Sequence, residues 1–431
     1  MILRHNGRSC HPVDSSLGGG ARMRIVAIGD VGVVDGMMHI GDEAMFEAMV
    51  DALRDRGVDE VTAISAAPED TAARYDVVAI GRIGFTGTRA RMHERLEAVR
   101  SAASGTPTLS GGDPAAAVVD AVAGADAVVI AGGGNLASNW PSHVFERAAL
   151  GAIAERLGRP LVVSGQTLGP WLDAPDRALV AELLRSARLT GVREPASLAL
   201  AGELGVPTER LAGNRDDAGF LGVGDPRSGA GAGLDLDTGG GTAEPYVLVS
   251  LSLHLGGLPR EETVRGLAST LDRVADRVGA PVRFHPHFGS LDPAVEAGDE
   301  VLHAAVRDAM RSPAELLQPG DARSAAKLAR GAAMLVTSRY HPAVFATAAG
   351  VPVAALSADD YTAVKLRGAT GWWDQDGVIP LGLAASDEGG DALGRIWDRR
   401  ASTRSAALAL RERAMEESAA WFDRVASALR G

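Results

Sequence analysis

The sequence predicts a two-domain α/β protein with a parallel sheet in each domain and a cleft between the domains. The chain has 431 residues, more than one ordinary hydrophobic core accommodates. Short runs of Val, Ile and Ala alternate with helical stretches, which is typical of strands buried on both faces and joined by crossover helices. The segment 222–241, in which eight of 20 residues are glycine, divides the chain into two such series.

Six apolar runs predict the strands of a first domain at residues 23–221. In chain order they are MRIVAIGD, VDEVTAIS, YDVVAIG, DAVVIAGGG, RPLVVSGQ and ARLTGVRE. Helical stretches separate them, beginning with a helix from about Asp42 to Arg56. This alternation predicts a doubly wound sheet with helices on both faces.

A second series follows the glycine-rich segment, which we assign as a linker at 222–245. Strands are predicted at YVLVSLSLH, PVRFHPH, AMLVTSRYH and VPVAALS, within a second domain at 246–385. Two helices are expected in the tail at 386–431, one of which can cross back onto the first domain. Residues 1–22 lack the apolar stretch of a signal peptide, and we expect a disordered extension there.

Composition excludes several classes of function. The formal net charge of −12 argues against a nucleic-acid partner, because phosphate-binding surfaces carry a basic excess. Cys10 is the single cysteine, which rules out an intramolecular disulfide and a multi-cysteine metal site. No apolar run reaches the ~18 residues of a membrane span. We therefore expect a cytoplasmic protein with at most peripheral membrane contact; the sequence indicates no oligomeric state.

Ligands of open α/β sheets bind outside the carboxyl ends of the strands, so residues that follow strands are the site candidates. Gly132, Gly133 and Gly134 follow DAVVIA and precede Asn135 and a predicted helix. Glycines let backbone amides approach a ligand, and a helix N-terminus favours an anion. A tight turn without a ligand explains the same glycines. No nucleotide-binding G-x-G-x-x-G motif is present.

Charged and amide side chains follow further strands of the first domain. Asp42 and Glu43 open the first helix, where they either cap it or project into the cleft as a base for a hydroxyl nucleophile. Arg193 follows the strand LTGV, which suits bidentate binding of a carboxylate or phosphate, or an ion pair with Glu194. Gln166 can hydrogen-bond a sugar or carboxylate, although the adjacent Gly-Pro is also ordinary loop sequence.

Polar residues also end a strand of the second domain. After AMLVT come Ser338, Arg339, Tyr340 and His341. Pro342 suits a first helical turn, which predicts His341 at the N-cap on the cleft side; a structural histidine is the alternative. Of 43 basic residues only Lys327 and Lys365 are lysines. Lys365 is therefore a candidate for a position where arginine would not fit.

Paired histidines and tryptophans give less specific signals. His285 and His287 end a strand with a spacing that permits metal ligation, but no nearby carboxylate or cysteine completes a site. No metal is therefore predicted. Trp372 and Trp373 can stack on a sugar ring, or they pack at a domain edge.

Together these segments resemble the polysaccharide pyruvyl transferase family over about residues 25–370, and the two Rossmann-like halves resemble the glycosyltransferase-B architecture. The matching pieces are Gly-Asp-Glu-Ala at 41–44, Gly-Gly-Gly at 132–134, Gln-x-x-Gly-Pro at 166–170, Arg-Glu-x-x-Ser at 193–197, Asp-x-x-Phe at 217–220 and Ser-Arg-x-His at 338–341, then Gly-Val-Pro and a downstream Tyr and Lys. Each piece is weak, but their order and their placement at strand ends are specific.

The resemblance implies transfer of pyruvate from phosphoenolpyruvate onto two hydroxyls of a sugar in a polysaccharide or its precursor, as a ketal with release of phosphate. It implies His341 as general acid, because a pKa near ~6.5 suits proton donation, and Asp42 or Glu43 as base. Binding of phosphoenolpyruvate is assigned to Arg193, Arg339, Lys365, Ser338, Gly132, Gly133 and Gly134. Binding of the saccharide acceptor is assigned to Gln166, Asn135 and His285. Whether the acceptor is attached to a lipid is left open. No cofactor is required.

Two other functions fit the same pattern. A nucleotide-sugar glycosyltransferase of this architecture would bind a nucleotide diphosphate in the second domain and hold the ribose with an acidic side chain. A non-catalytic saccharide-binding homologue would have lost reactive residues. The presence of His341, Arg193 and Lys365 together argues against that loss.

Overall fold

The computed structural model describes residues 22–224 and 244–431. Almost all of the predicted extension at 1–22 and of the predicted linker at 222–245 lies outside these described residues. The described chain contains two parallel sheets and a two-stranded ribbon. Each of the two sheets has apolar cores on both faces.

The first sheet is built from the runs of apolar residues near the start of the chain. Its domain contains the strands β1 (Arg24–Ile28), β2 (Met37–His39), β3 (Glu60–Ser65), β4 (Val78–Gly81), β5 (Ala127–Ile130), β6 (Gly133–Leu136), β7 (Leu161–Leu168), β8 (Leu189–Val192) and β9 (Leu211–Gly213). The helices are α1 (Ile40–Arg54), α2 (Pro68–Tyr75), α3 (Arg89–Ala103), α4 (Pro114–Gly124), α5 (Pro141–Arg156), α6 (Ala174–Ser186) and α7 (Pro195–Glu203). The strand order is β4-β3-β1-β5-β7-β8-β9, with β6 beside β7.

The second sheet repeats the pattern with the order β13-β11-β10-β14-β15-β16. The strands of this half are β10 (Val247–Ser250), β11 (Val282–Phe284), β12 (Phe288–Ser290), β13 (Ala314–Leu316), β14 (Met334–Thr337), β15 (Val353–Ser357) and β16 (Val378–Pro380). The helices are α8 (Arg260–Val278), α9 (Glu300–Ala309), α10 (Ala322–Gly331), α11 (Tyr340–Thr347), α12 (Asp360–Gly371), α13 (Leu381–Ala384), α14 (Gly389–Asp398) and α15 (Arg400–Arg430). The six strands of this sheet all pair in parallel, whereas β12 lies outside it.

β2 and α15 each help to join the domains. β2 pairs with β12 in an antiparallel ribbon, in which His39 lies opposite Phe288. The long helix α15 packs its apolar face on the first domain, where Trp421 and Phe422 enter the same core as Ile25. Neither α15 nor any other helix in the two described ranges has the length and apolar character that a membrane crossing requires.

The segment after β5 differs from its prediction. A helix was expected after the three glycines, but Gly133–Leu136 forms the strand β6, which pairs with β7. The helix α5 begins only at Pro141, which suits a first helical position. The glycines therefore do not form a helix N-terminus, and that part of the anion-binding prediction is wrong.

Candidate active site

The cleft residues lie where the strand order reverses in each sheet, which is where open α/β sheets bind ligands. In the first sheet the reversal falls between β1 and β5, which Asp30 and Gly132 follow. In the second it falls between β10 and β14, and His341 comes soon after β14. The first turn of α1 brings Asp42 towards the same point.

His341 sits against α1 of the other domain. A Cβ atom on Gly41 would overlap Nδ1 of the ring, so glycine is required for this approach. Nε2 lies 3.7 Å from Oδ2 of Asp216 and has no hydrogen-bond partner in the described structure. Burial lowers the pKa of His341 to about 3, although Asp216 acts in the opposite direction. The ring is therefore neutral at neutral pH, which contradicts the expected role of a general acid with an ordinary pKa.

The position of His341 in its helix also differs from the prediction. The N-cap of α11 is Arg339, and His341 is the second residue of the helix. The side chain still reaches the interface between the domains, because Nδ1 lies against Gly41 of α1.

Asp42 is half-buried and unpaired. Within the described residues no hydrogen bond or ion pair holds its carboxyl group. Burial, followed by the nearby charge of Asp30, raises its pKa to about 7. Lys365, Arg193 and Arg147 lower it by less. A carboxyl group with this pKa can donate and accept a proton at neutral pH.

Glu43, the alternative base, has a structural role. Its side chain is buried and accepts hydrogen bonds from the backbone N–H of Gly32, at 2.9 Å, and from the hydroxyl of Tyr75. These bonds tie α1 to α2 and to the loop after β1. The expectation that Glu43 projects into the cleft is wrong, since successive helical residues face different directions.

Arg193 is completely enclosed by protein groups. Its side chain is 1% exposed, with Nη1 2.6 Å from Asp216 and Nε 3.2 Å from Glu194. Nε also donates to Thr167, and the guanidinium lies 4.3 Å from the ring centroid of Tyr340. Arg193 therefore forms ion pairs with carboxylates of the protein, which is the alternative given in the sequence analysis. The expectation that it binds phosphoenolpyruvate directly is corrected.

Asp216 connects the two halves of the site and was missed in the sequence. Burial works against its ionisation, but the adjacent Arg193 holds its pKa below the usual range. The carboxylate also faces His341, with Oδ2 3.7 Å from Nε2 of the ring. Its neighbour Asp217, part of the Asp-x-x-Phe stretch, was the signal that could have drawn attention to it.

Lys365 reaches from the second domain to Gly134 in β6. Its Nζ lies 3.4 Å from the hydroxyl of Tyr361, which donates to the carbonyl of Gly134 at 2.6 Å. A Cβ atom on Gly134 would lie only 2.7 Å from Nζ. No carboxylate among residues 22–224 and 244–431 approaches Nζ within 4 Å, so this ammonium group carries an uncompensated charge in the cleft.

Arg339 and Ser338, the other residues of the second domain that were expected to bind phosphoenolpyruvate, already bind groups of the protein. Arg339 pairs with Asp299 through two nitrogens, with Nε 2.9 Å from Oδ2. Ser338 accepts a hydrogen bond from the backbone N–H of Ser252 at 2.8 Å. Arg339 therefore enters the site as half of an ion pair, and Ser338 holds the loop after β10.

The residues assigned to the acceptor lie below the cleft surface. Gln166 is fully buried and donates to the carbonyl of Ala131 at 2.5 Å. His285 is buried, which lowers its pKa to about 4, and Asn135 is buried in β6. Burial makes direct contact with a sugar by Gln166 and His285 incompatible with this structure. Among the described residues no group of His, Cys, Asp and Glu could hold a metal ion.

Four polar side chains of the first domain lie in contact with one another beside Asp42. The sequence analysis did not select them. We call this group the Asp30 cluster: Asp30, Arg82, His143 and Arg147. Arg82 lies 2.5 Å and His143 3.7 Å from Asp30, and Arg147 lies 3.2 Å from His143. Asp30 is the last residue of the predicted strand MRIVAIGD and Arg82 directly follows YDVVAIG, so a search for polar residues at strand ends could have found both.

Within the Asp30 cluster, Arg147 is a buried cation. It is 3% exposed, and no carboxylate among the described residues approaches it within 4 Å. Its bonds are to His143 and, at 3.4 Å, to the carbonyl of Gly29. Burial lowers the pKa of His143 to about 4, so that ring adds no positive charge at neutral pH.

Two facing Rossmann-like domains with a polar cleft at their strand ends define the glycosyltransferase-B class of fold, as predicted. Solved structures share it. The UDP-GlcNAc 2-epimerase of Neisseria meningitidis, bound to UDP-GlcNAc, has a TM-score of 0.57 and 11% identity, covering 89% of this chain and 94% of that chain. Anabaena HepE, in complex with UDP and glucose, has a TM-score of 0.54 and 14% identity, covering 95% and 99%. At these identities the likeness shows the fold alone.

A sequence model of the polysaccharide pyruvyl transferase family matches residues 39–360. The chain belongs to this family, which confirms the resemblance seen in the motifs. Membership supports a transferase with a general role in pyruvyl transfer and implies a saccharide acceptor. No curated protein sequence matches the chain at a significant level.

Proposed function

We propose that this protein transfers the pyruvyl group of phosphoenolpyruvate to two hydroxyls of a saccharide, forming a ketal and releasing phosphate. The observation that carries the proposal is the carboxyl group of Asp42, which is unpaired and has a pKa of about 7. The ammonium group of Lys365 is close enough to lower this pKa by its charge. Phosphoenolpyruvate requires a proton donor for its methylene carbon and cations for its anionic groups. The cleft supplies both.

The charges around Asp42 suit a donor with two anionic groups. Lys365 acts on its carboxyl group from the second domain and Arg147 from the first. In phosphoenolpyruvate the reactive double bond lies between a carboxylate and a phosphate. Lys365 would bind one anionic group of the donor, while the buried Arg147 would attract the donor through space without contacting it. A donor held in this way would place that double bond beside Asp42, where proton transfer needs a short distance.

The proton balance of the reaction needs one group that both gives and takes a proton. Protonated Asp42 adds a proton to the methylene carbon, which becomes the methyl group, and one sugar hydroxyl attacks the adjacent carbon. The carboxylate left on Asp42 takes the proton of that hydroxyl. The second hydroxyl then displaces phosphate, whose C–O bond breaks, and its proton leaves with the phosphate.

His341 suits the second of these steps. Its neutral ring has an Nε2 atom without a hydrogen-bond partner in the described structure. A neutral imidazole can accept a hydroxyl proton and pass it to the departing phosphate. We therefore assign His341 to the closure of the ketal ring and Asp42 to the first proton transfer.

The test is release of phosphate from phosphoenolpyruvate in the presence of saccharide acceptors. Asp42→Asn should lower turnover by about 10²–10⁴-fold, because the amide cannot donate the required proton. Glu69→Gln, at an exposed position of α2, is the matched control and should leave turnover unchanged. Release of UDP from a nucleotide sugar, with phosphoenolpyruvate inert, would establish the glycosyltransferase alternative instead.

A further inference from the structure

We infer that Trp140 and Trp171 form a platform at the rim of the cleft that binds the saccharide chain of the acceptor, beyond the sugar that reacts. The inference rests on the proposed function, since it takes the reacting sugar to lie at Asp42. It concerns a part of the molecule outside the proposed proton-transfer site.

The two indole rings are unusually exposed. Trp140 is 46% and Trp171 58% exposed, whereas the other four tryptophans are buried or half-buried. An exposed ring of this size leaves a large apolar area in water, which is unfavourable by roughly 25 cal/mol for each Å². Exposed apolar groups beside a cleft commonly mark a binding surface.

The loops that carry these rings are fixed to each other. The backbone N–H of Ser138, two residues before Trp140, donates to the carbonyl of Trp171 at 3.0 Å. The Ser138 hydroxyl accepts from the backbone N–H of Asp173 and donates to Asp176. These bonds hold the backbones of both loops in place before any ligand arrives, which lowers the entropic cost of binding.

The platform is continuous with the reaction centre. The ring of Trp140 lies 6.4 Å from that of His143, edge to face, and His143 lies 3.7 Å from Asp30. Asp30 in turn raises the pKa of Asp42. A ligand that extends from Asp42 along the Asp30 cluster would therefore reach Trp140, with Trp171 on the adjoining loop.

The chemistry of this surface suits an oligosaccharide. A pyranose ring presents flat C–H faces that pack on an indole, and hydroxyls at its edge that need hydrogen bonds. The carboxylate of Asp30 can accept from such hydroxyls and Arg82 can donate to them. A membrane surface is the other occupant to consider, but a net charge of −12 opposes approach to anionic lipids.

The experiment compares the full chain with the double variant Trp140→Ala, Trp171→Ala on an array of mono- to hexasaccharides. We expect wild type to bind oligosaccharides, and the double variant to bind them at least about tenfold more weakly. Affinity for phosphoenolpyruvate, measured by calorimetry, should be the same in both. Leu408→Ala is the matched control, since Leu408 is 45% exposed on α15, and it should bind like wild type.

Three results would overturn the inference. These are equal saccharide binding by the double variant and wild type, no saccharide binding by wild type, and a loss confined to binding of vesicles of phosphatidylcholine and phosphatidylglycerol. Failure of the proposed reaction is a separate outcome. Tryptophan-dependent saccharide binding without phosphate release from phosphoenolpyruvate would reject the pyruvyl transfer while leaving the platform in place.

Discussion

Among single residues, Asp42 governs how the proposed reaction should depend on pH. Its carboxyl group donates a proton only in the protonated form, which predominates below its pKa of about 7. We expect kcat/KM for phosphoenolpyruvate to be level below that pH and to fall about tenfold for each unit above it. An imidazolium donor at His341 would instead place the fall near its pKa of about 3.

The substrate's own phosphate also titrates, and Asp42→Asn serves as the control for this. In that variant the residual kcat/KM should not fall above pH about 7, because the titrating carboxyl group is absent. If kcat/KM depends on pH in the same way in wild type and variant, the fall is caused by titration of the substrate.

Lys365 offers a second test at a single residue. Its Nζ packs so closely against Gly134 that the larger guanidinium would displace β6. We expect Lys365→Arg to lose at least about tenfold in turnover, roughly 1.4 kcal/mol of transition-state stabilisation. Lys327→Arg, on an exposed face of α10, is the matched control and should be silent. Equal behaviour of the two variants would remove Lys365 from the proposed site.

The sequence predicted which side chains follow strands better than it predicted whether those side chains are buried. His341 and Arg193 do follow strands, as expected from the apolar runs. The burial of His341 depends on Gly41, which approaches it only when the domains meet. The burial of Arg193 depends on Asp216, 23 residues further along the chain. A pKa set by such contacts could not be derived from spacing or composition.

At the scale of elements, Arg193 joins β8 to the segment that leaves the first domain. Arg193→Ala would leave Asp216 and Glu194 as buried carboxylates without their partner. We expect a loss of about 3–5 kcal/mol in the free energy of unfolding, measured with denaturant. Arg177→Ala, which breaks the exposed ion pair with Glu203, should cost about 0–1 kcal/mol.

The same variant distinguishes a structural role from direct ligand binding. If Arg193 acts only through Asp216 and Glu194, the folded fraction should bind phosphoenolpyruvate with nearly unchanged affinity. A stable variant that has lost this affinity would restore Arg193 to the donor site.

Elements with long apolar runs were predictable, and short ones were not. β1 and β5 lie within predicted runs, and β7 begins within one and extends two residues beyond it. Such strands are predictable because burial on both faces needs continuous apolar sequence. β9 and β13 have three residues each and no such run, so nothing in the local sequence indicated them. β6 was missed because GGNL has no strand propensity of its own and is held by pairing with β7.

At the scale of the whole molecule, α15 follows the second domain in the sequence but packs on the first domain. Trp421 is buried against Gly191, and its Nε1 donates to Ser164 at 3.0 Å. Trp421→Ala should therefore cost about 3–5 kcal/mol in the free energy of unfolding. Leu408→Ala, an exposed position of the same helix, should change it by less than about 0.5 kcal/mol. Similar losses in the two variants would show that α15 contributes little through this contact.

The path of α15 has a consequence for synthesis on the ribosome. The face of the first sheet that contains Ile25 is completed by Trp421 and Phe422, which are translated after the whole second domain. Roughly 200 residues separate the end of the first domain from these side chains, which is on the order of 10–40 s of elongation. During that interval the nascent first domain would present an apolar face to its surroundings. A chaperone that binds such faces should associate with ribosome-bound chains that end before α15 and dissociate once the helix has emerged.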